Sequence, residues 1–565
     1  MIAGMQSSRP GSELSPARLI VFALLPVLAL FPPETRGESM AGCAALIAVL
    51  ALIGWRRSGA SPSGQATLLV IAAVALPLTW VALAPAAAVQ PLAVALVAGA
   101  AGLGVAGADL GHRHRRLVLV VLAGVAVWVS AHALIQWAWG LDRLADVVRS
   151  DPAFPDREAI LVRLGRGRPF ASFITPAALG GFLILALPVT VALAWAARGT
   201  ARVAWVAAAA CQVGALLVAA SATATAALFG SVLLAAWVWS RARRALAVVG
   251  LASIILLGMV VLVRGERLTD FTDRDGPWHL RAGNFRAAWS MAADRPWTGV
   301  GPGGFAEAYP SYRRPGSNET RHAHNLPLEL VAESGWPLGA ALGLLFFWLF
   351  LYPLWRERDG PPWQRGLALG LAAFALQNLA DFSAFMPSLL WTAALLRGAL
   401  VRTGTVNRAD VAPPRLLAAS SLTLVLLAAS LAGLGGLSSN ARVAARSAAF
   451  SREGARALEL ASRAHDLAPW DADASLLLAR ITADFAGETG LELALERADQ
   501  AVALSPVRPA ARELRSRIRR STGDPLGAYA DLSEAARLYP LDETYAAARD
   551  RLRESLEAAS GGTIR

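Results

Sequence analysis

Long apolar runs free of charge recur through most of this chain, and they constrain its fold more than any other feature. A helix rises about 1.5 Å per residue, so roughly 20 apolar residues cover the hydrocarbon of a bilayer. Runs near 18–32, 40–55, 66–84, 87–107, 117–138, 172–196, 203–220, 223–239, 245–263, 331–355, 366–384, 386–401 and 416–437 approach or meet that length. They predict an all-α, polytopic transmembrane helix bundle of about 13 spans, since a backbone in lipid must satisfy its own hydrogen bonds. Composition agrees: 17% of residues are charged, where an ordinary soluble chain carries about 25%. The first run follows Arg9 and Arg18 without a small-residue cleavage site, so it reads as a span and not as a removable leader.

The loops between the runs alternate in charge. "RRS" at 56, "HRHRR" at 112, "RGTAR" at 198, "RARR" at 241, "RERD" at 356 and the segment with Arg402, Arg408 and Arg415 fall on one side. Short basic loops stay cytoplasmic. That rule puts the amino terminus inside and the carboxy terminus outside, with loops 139–171 and 264–330 exterior. Topology therefore accounts for much of the net charge of +12, carried by arginine in a chain without lysine, and no nucleic-acid partner is implied. Cys43 and Cys211 lie in apolar runs and read as buried small hydrophobes, outside any disulfide or metal framework.

Composition shifts sharply after the last run. Residues 1–437 form the membrane domain, and 438–565 are charged, alanine-rich and helical in period. The phrases "ASRAHDLAPWDADA", "ADQAVALSPVRPAA" and "AARLYPLDETYAAA" place prolines at 469, 506 and 540, spacings of 37 and 34. A period near 34 with small residues at the packing points and a closing proline predicts an exterior tetratricopeptide-like domain of helical hairpins. Its concave surface would suit a peptide, protein or glycan partner; a plain helical bundle is the alternative.

The densest polar chemistry is in the second exterior loop. Arg281, Phe285, Arg286 and Trp289 lie on an amphipathic helix that "GVGPGG" at 299–304 stops. That glycine run lacks the strand before and the Lys-Ser/Thr after that a phosphate loop needs, so it reads as a turn. Phe305, Tyr309, Tyr312, Arg313 and Arg314 follow, then "RHAHNLPLELVAESGW" at 321–336. Pro327 suits the first turn of a new helix, and Glu329 and Glu333 share one of its faces. Arginines on an outer face suit a phosphate or diphosphate, aromatic rings suit sugar faces, and histidine can take a proton from a hydroxyl near neutral pH. The mixture fits sugar transfer from a lipid diphosphate, with Arg321, His322, Asn325 and Glu329 as further candidate substrate contacts. His322 and His324 have no third ligand placed beside them, so neither a metal site nor a cofactor is expected.

Several of these segments resemble the O-antigen ligase and polymerase family of bacterial membrane glycosyltransferases. The resemblance is carried by "HLRAGNFRAAWSMAADRPWTGVGPGGF" and "HAHNLPLELVAESGWPLG", by "RPFASFITPAALGGFLILALPV" opening at Arg168, and by "LADFSAFMP" at 379–387 with Asp381. It covers roughly residues 160–400, most specifically 281–335. The resemblance implies a metal-independent enzyme of the cytoplasmic membrane, working at its outer face on an undecaprenyl-diphosphate-linked glycan. It assigns Arg168 and Arg281 to the diphosphate donor, His324 of the His324-Asn325 pair to the acceptor hydroxyl as base, and Asp381 to the site as an intramembrane charge. The acceptor could be lipid A core, another glycan or a Ser/Thr of a protein, which correspond to a ligase, a polymerase or an oligosaccharyltransferase. The chain departs from the family at "SATATAALFG" (221–230), where an arginine is expected and Thr225 stands near its place, at "TPA" (175–177) in place of "NPN", and at Leu326-Pro327 in place of an aromatic. The missing arginine favours the rival class, a non-catalytic scaffold or lipid-linked-sugar transporter in exopolysaccharide assembly.

Overall fold

The computed structural model describes residues 16–58, 82–108, 110–150, 157–239, 277–401 and 415–560, with a few isolated positions between 250 and 259. Among these residues the fold is all-helical. Seven helices are long and apolar enough to cross a membrane, and Pro16–Leu30 and Ala222–Val238 are shorter apolar helices. The architecture fits a multi-pass membrane protein. The expected runs at 66–84 and 245–263 lie wholly or mostly outside the described residues, and two further runs differ for a physical reason given below.

The first helices are α1 (Pro16–Leu30), α2 (Gly37–Ser58), α3 (Val89–Gly107) and α4 (His112–Ile135), the last continued by a wide turn over Gln136–Gly140. Two short helices, α5 (Leu141–Ser150) and α6 (Arg157–Leu164), form a hairpin held by Leu141, Ala145, Val148 and Leu164. Then come α7 (Pro176–Ala196), α8 (Gly199–Ala219) and α9 (Ala222–Val238). Of the α7 span 89% is buried, against 17% of the α8 span, so α7 is the bundle's axis and α8 lies on its outside. Thr175 caps α7 by accepting from Ala178 N at 3.1 Å, and Pro176 fills the first turn, where its missing N–H costs nothing.

The loop helices are α10 (Pro277–Asp294) and α11 (Phe305–Tyr312), followed by α12 (Leu326–Arg356). Helix α12 breaks at Gly335, where φ 75° and ψ 168° leave helical space. The glycine turn after α10 occupies this break: Val300 N donates to Ala332 O (2.9 Å), Gly301 N to Glu333 O (2.9 Å) and Trp336 N to Pro296 O (2.8 Å). A Cβ on Gly335 would stand 2.8 Å from Pro296 O, so positive φ and close approach both demand glycine there. The "GVGPGG" run is thus a backbone clamp on the kink, more than the end of α10.

Helices α13 (Pro362–Gln377) and α14 (Pro387–Ala399) replace the expected spans 366–384 and 386–401. Both are shorter than predicted because a polar turn intervenes. Asn378 organises that turn: its carbonyl accepts from Leu326 N (2.9 Å), its Oδ1 from Ala384 N (2.7 Å), and its Nδ2 donates to Phe374 O (2.8 Å). Glu34, between α1 and α2, caps α14 by accepting from Ser388 N at 3.1 Å. A hydropathy window averages across such a turn and cannot see it.

Helix α15 (Arg415–Phe450) runs without a break through the boundary expected at 437, packing beside α2 and α3 at its start. Six helices follow as three successive pairs: α16 (Gly454–Leu467) with α17 (Ala472–Phe485), α18 (Leu491–Leu504) with α19 (Pro509–Ser521), and α20 (Pro525–Leu538) with α21 (Glu543–Ser560). Pro469, Pro506 and Pro540 fall in the turn within each pair. Ala457, Ala461 and Ala464, then Ala494, Ala498 and Ala501, are fully buried where paired helices meet. Cys43 and Cys211 are free thiols.

Candidate active site

The four segments singled out in the sequence converge on one cavity of about 470 Å³. Its wall is built from α6 and the chain leading into α7 (Arg163, Arg166, Arg168, Thr175, Ala177), from α10 (Leu280, Arg281, Asn284), from the loop before α12 (Asn318, His324) and from the α13–α14 turn (Asp381, Phe382). A concavity of similar volume on α16, lined by Glu459, Ser462, Arg463, Asp466 and Leu467, lies on a single helix and gathers no groups from a second element.

Arg168 is positioned by its own Nε, which donates to Ala219 O at the end of α8 (2.8 Å). The segment behind it is fixed because Gln136 Oε1 accepts from both Phe170 N and Ala171 N at 2.8 Å. Arg281, on the first turns of α10, is half-buried and has no hydrogen-bond or ion-pair partner among the described residues. Burial draws its pKa below the usual arginine value, and the Asp381 charge opposes that shift. Asp381 is buried with both oxygens satisfied: Oδ1 accepts from Phe382 N (2.8 Å), Oδ2 from Gln377 Nε2 (3.1 Å) and Thr223 Oγ1 (3.2 Å).

His324 adopts a left-handed backbone, φ 58°, which costs a non-glycine residue about 1–2 kcal/mol. Its ring stands edge-on to Phe382 at 4.8 Å, and its buried Nδ1 has no partner among the described residues. Burial, then the Arg281 charge and His322, push its pKa down to about 4, so the imidazole is neutral at pH 7. What holds this strained residue is the segment on either side. Glu329, buried on the first turn of α12, accepts from Ala323 N (2.8 Å) and pairs with His322 Nδ1 (2.8 Å). The His322 ring is sandwiched by Phe382 at 4.7 Å and Phe385 at 5.0 Å. Asn325 caps α12 by accepting from Leu328 N (2.9 Å) and donates to Leu379 O (2.8 Å).

The predicted site residues therefore divide. Arg168, Arg281, His324 and Asp381 share the cavity. His322, Asn325 and Glu329 do not line it; their polar atoms are engaged in fixing the loop. Arg321 points away, toward Asp473 at the start of α17 (3.6 Å). That contact belongs to a wider seam between the loop and the last helices. Arg508 pairs with Glu307 on α11 (Nε–Oε2 2.9 Å) and with Asp473 (2.6 Å), while Tyr539 meets Arg313 and donates to Glu319 (3.0 Å). Three arginines hold the Asp473 carboxyl down at about 2 against its burial.

Sequence reasoning missed Arg163 and Arg166, five and two residues before Arg168 in the run "VRLGRGRPF". It also did not single out Thr223. Thr225 is buried and donates to Ser221 O (3.0 Å), whereas Thr223 reaches Asp381. Ser221 caps α9, and that cap was the available signal that 222–224 form the turn facing the site.

A family model described as O-antigen ligase matches residues 207–343, about a quarter of the chain, from α8 through the kink in α12. It includes Arg281 and His324 and leaves Arg168 and Asp381 outside. The match supports the resemblance drawn from the motifs, to a ligase family of glycosyltransferase type. No curated protein matches the chain.

Proposed function

We propose that this chain transfers a glycan from undecaprenyl diphosphate to an acceptor hydroxyl at the outer face of the bacterial cytoplasmic membrane, as a metal-independent ligase-like glycosyltransferase. The observation that carries the reading is that Arg168, Arg281 and His324, far apart in sequence, line one cavity. In the reaction the acceptor oxygen bonds to the anomeric carbon and the bond from that carbon to the diphosphate breaks. The hydroxyl proton passes to His324, and the charge left on the diphosphate meets Arg168 and Arg281. These guanidiniums take the role a metal would otherwise fill.

A base with a pKa of about 4 is weak, but the donor strengthens it. Arg281 is one cause of the depression, and a bound diphosphate offsets its charge. The donor thus removes the part of the depression that comes from Arg281, while burial, the larger cause, remains. Asp381 holds Arg281 by charge and is itself held by Thr223 and Gln377. The helices after α15 are read as an exterior repeat domain, with the amino terminus cytoplasmic.

The test is steady-state transfer by the full chain in bilayers, with an undecaprenyl-diphosphate-linked glycan as donor. His324→Ala should lower kcat by about 10²–10⁴-fold, and Arg281→Ala should mainly raise the donor KM. Full transfer by the His324 variant discards the base; an unchanged donor KM removes Arg281 from the site. Deleting the gene identifies the acceptor: loss of capped lipopolysaccharide, a shortened polymer and an unglycosylated protein are three distinct outcomes.

A further inference from the structure

The cavity holds more positive charge than a diphosphate diester requires. Such a donor carries two negative charges, which Arg168 and Arg281 match in the reading above, and Asp381 is satisfied by its three donors. Arg163 and Arg166 remain. They stand one helical turn apart at the end of α6, where Gly167 (φ 65°) turns the chain toward Arg168. Arg163 is oriented by Ile174 O, to which it donates, and by the Phe170 ring at 5.8 Å. Arg166 has no side-chain partner among the described residues, and neither arginine meets a carboxylate there.

Partial burial of the Arg163 guanidinium, and then the Arg166 charge, draw the Arg163 pKa below the usual arginine value. A cation pair that meets no carboxylate among the described residues is a candidate site for an anion. Both arginines are exposed, whereas Arg168, Arg281 and His324 are half-buried and Asp381 is buried, so the pair sits at the rim.

We propose that Arg163 and Arg166 form a rim subsite for a carboxylate or phosphate borne by a sugar, so that this protein prefers an anionic glycan substrate. The proposal rests on the donor-site reading above and deepens it. The anion could belong to the donor glycan or to the acceptor, and the chemistry of recognition is the same.

The experiment compares two undecaprenyl-diphosphate disaccharides, one with a uronate and one with the matching neutral hexose, each bound to the full chain in nanodiscs. A parallel arm keeps the neutral donor and compares a phosphorylated with an unphosphorylated acceptor sugar. In one arm the charged substrate should bind about tenfold more tightly, and the ratio should shrink as salt rises. Arg163→Gln with Arg166→Gln should bring that ratio to about one. Equal affinities for charged and neutral substrates in both arms overturn the proposal, as does a ratio that survives the double substitution. If the double substitution weakens charged and neutral donors alike, the pair serves the diphosphate: the subsite fails and the donor reading stands. If neither donor binds the unaltered protein, the donor reading itself fails.

Discussion

At the scale of single residues, the account turns on how His324 is kept neutral and in place. Its folded pKa, about 4, lies below the ordinary 6.5. Between these values the unfolded chain binds a proton that the folded one refuses, so folding stability rises with pH across that window. The contribution is fully present above pH 6.5 and is lost as pH falls toward 4. Denaturation measured from pH 7 to pH 4 should show a shallower loss for His324→Gln than for the unaltered protein; identical slopes would contradict the buried, neutral imidazole. Asn325→Ala should cost about 1 kcal/mol from the lost cap, read as a lower unfolding midpoint with a matching loss of turnover. Arg168, Arg281, His324 and Asp381 were singled out through the family resemblance of their segments, and they share one cavity. Asn325 and Glu329 were found but given to substrate, because sequence cannot separate a residue that touches a ligand from one that fixes its neighbour. Arg163 and Arg166 escaped notice because loop arginines look alike until a hairpin turns some toward a cavity.

At the scale of elements, the kink in α12 joins the membrane part to the site. Glu329 and Glu333 were expected on one helix face, and the break two residues later falls at Gly335 and Pro337, breaker residues that the apolar run around them masks. The break depends on the α10–α11 turn pairing with Ala332 and Glu333, a contact between segments some 30 residues apart. Phe305 N also donates to Glu333 Oε1 at 3.2 Å, so the acid fastens the turn to the helix. Gly335→Ala meets both a φ of 75° and the Pro296–Trp297 backbone. It should destabilise by at least 1–2 kcal/mol, seen as a lower melting temperature in detergent. A melting temperature unchanged from the glycine parent would show that the clamp does not hold the kink. The positions of α7, α8, α9 and α12 were legible from hydropathy. The turn between α13 and α14 was not, because Asn378 and Asp381 interrupt the apolar pattern only briefly.

At the scale of the whole molecule, the last six helices are attached to the loop that bears His324 as well as to the end of α15. The seam of Glu307, Arg508, Asp473 and Arg321 is largely buried at its centre, where Arg508 and Glu307 side chains are 15% and 12% exposed. Removing one partner of such a pair costs about 3 kcal/mol or more. Arg508→Ala should therefore expose residues 313–321 to limited proteolysis and lower turnover, and Arg508→Lys, which keeps the charge beside Glu307 and Asp473, should retain part of the protection. Unaltered protease resistance would mean the seam contributes nothing to holding the loop. The central claim is that separate elements bring their arginines to one diphosphate. The direct measurement is donor binding to Arg168→Ala, Arg281→Ala and the combined variant. The account predicts a loss for each substitution and a departure from additivity of about 1 kcal/mol in the combination, because both groups act on a single ligand. Strictly additive losses, or undiminished donor affinity in either single variant, would contradict it.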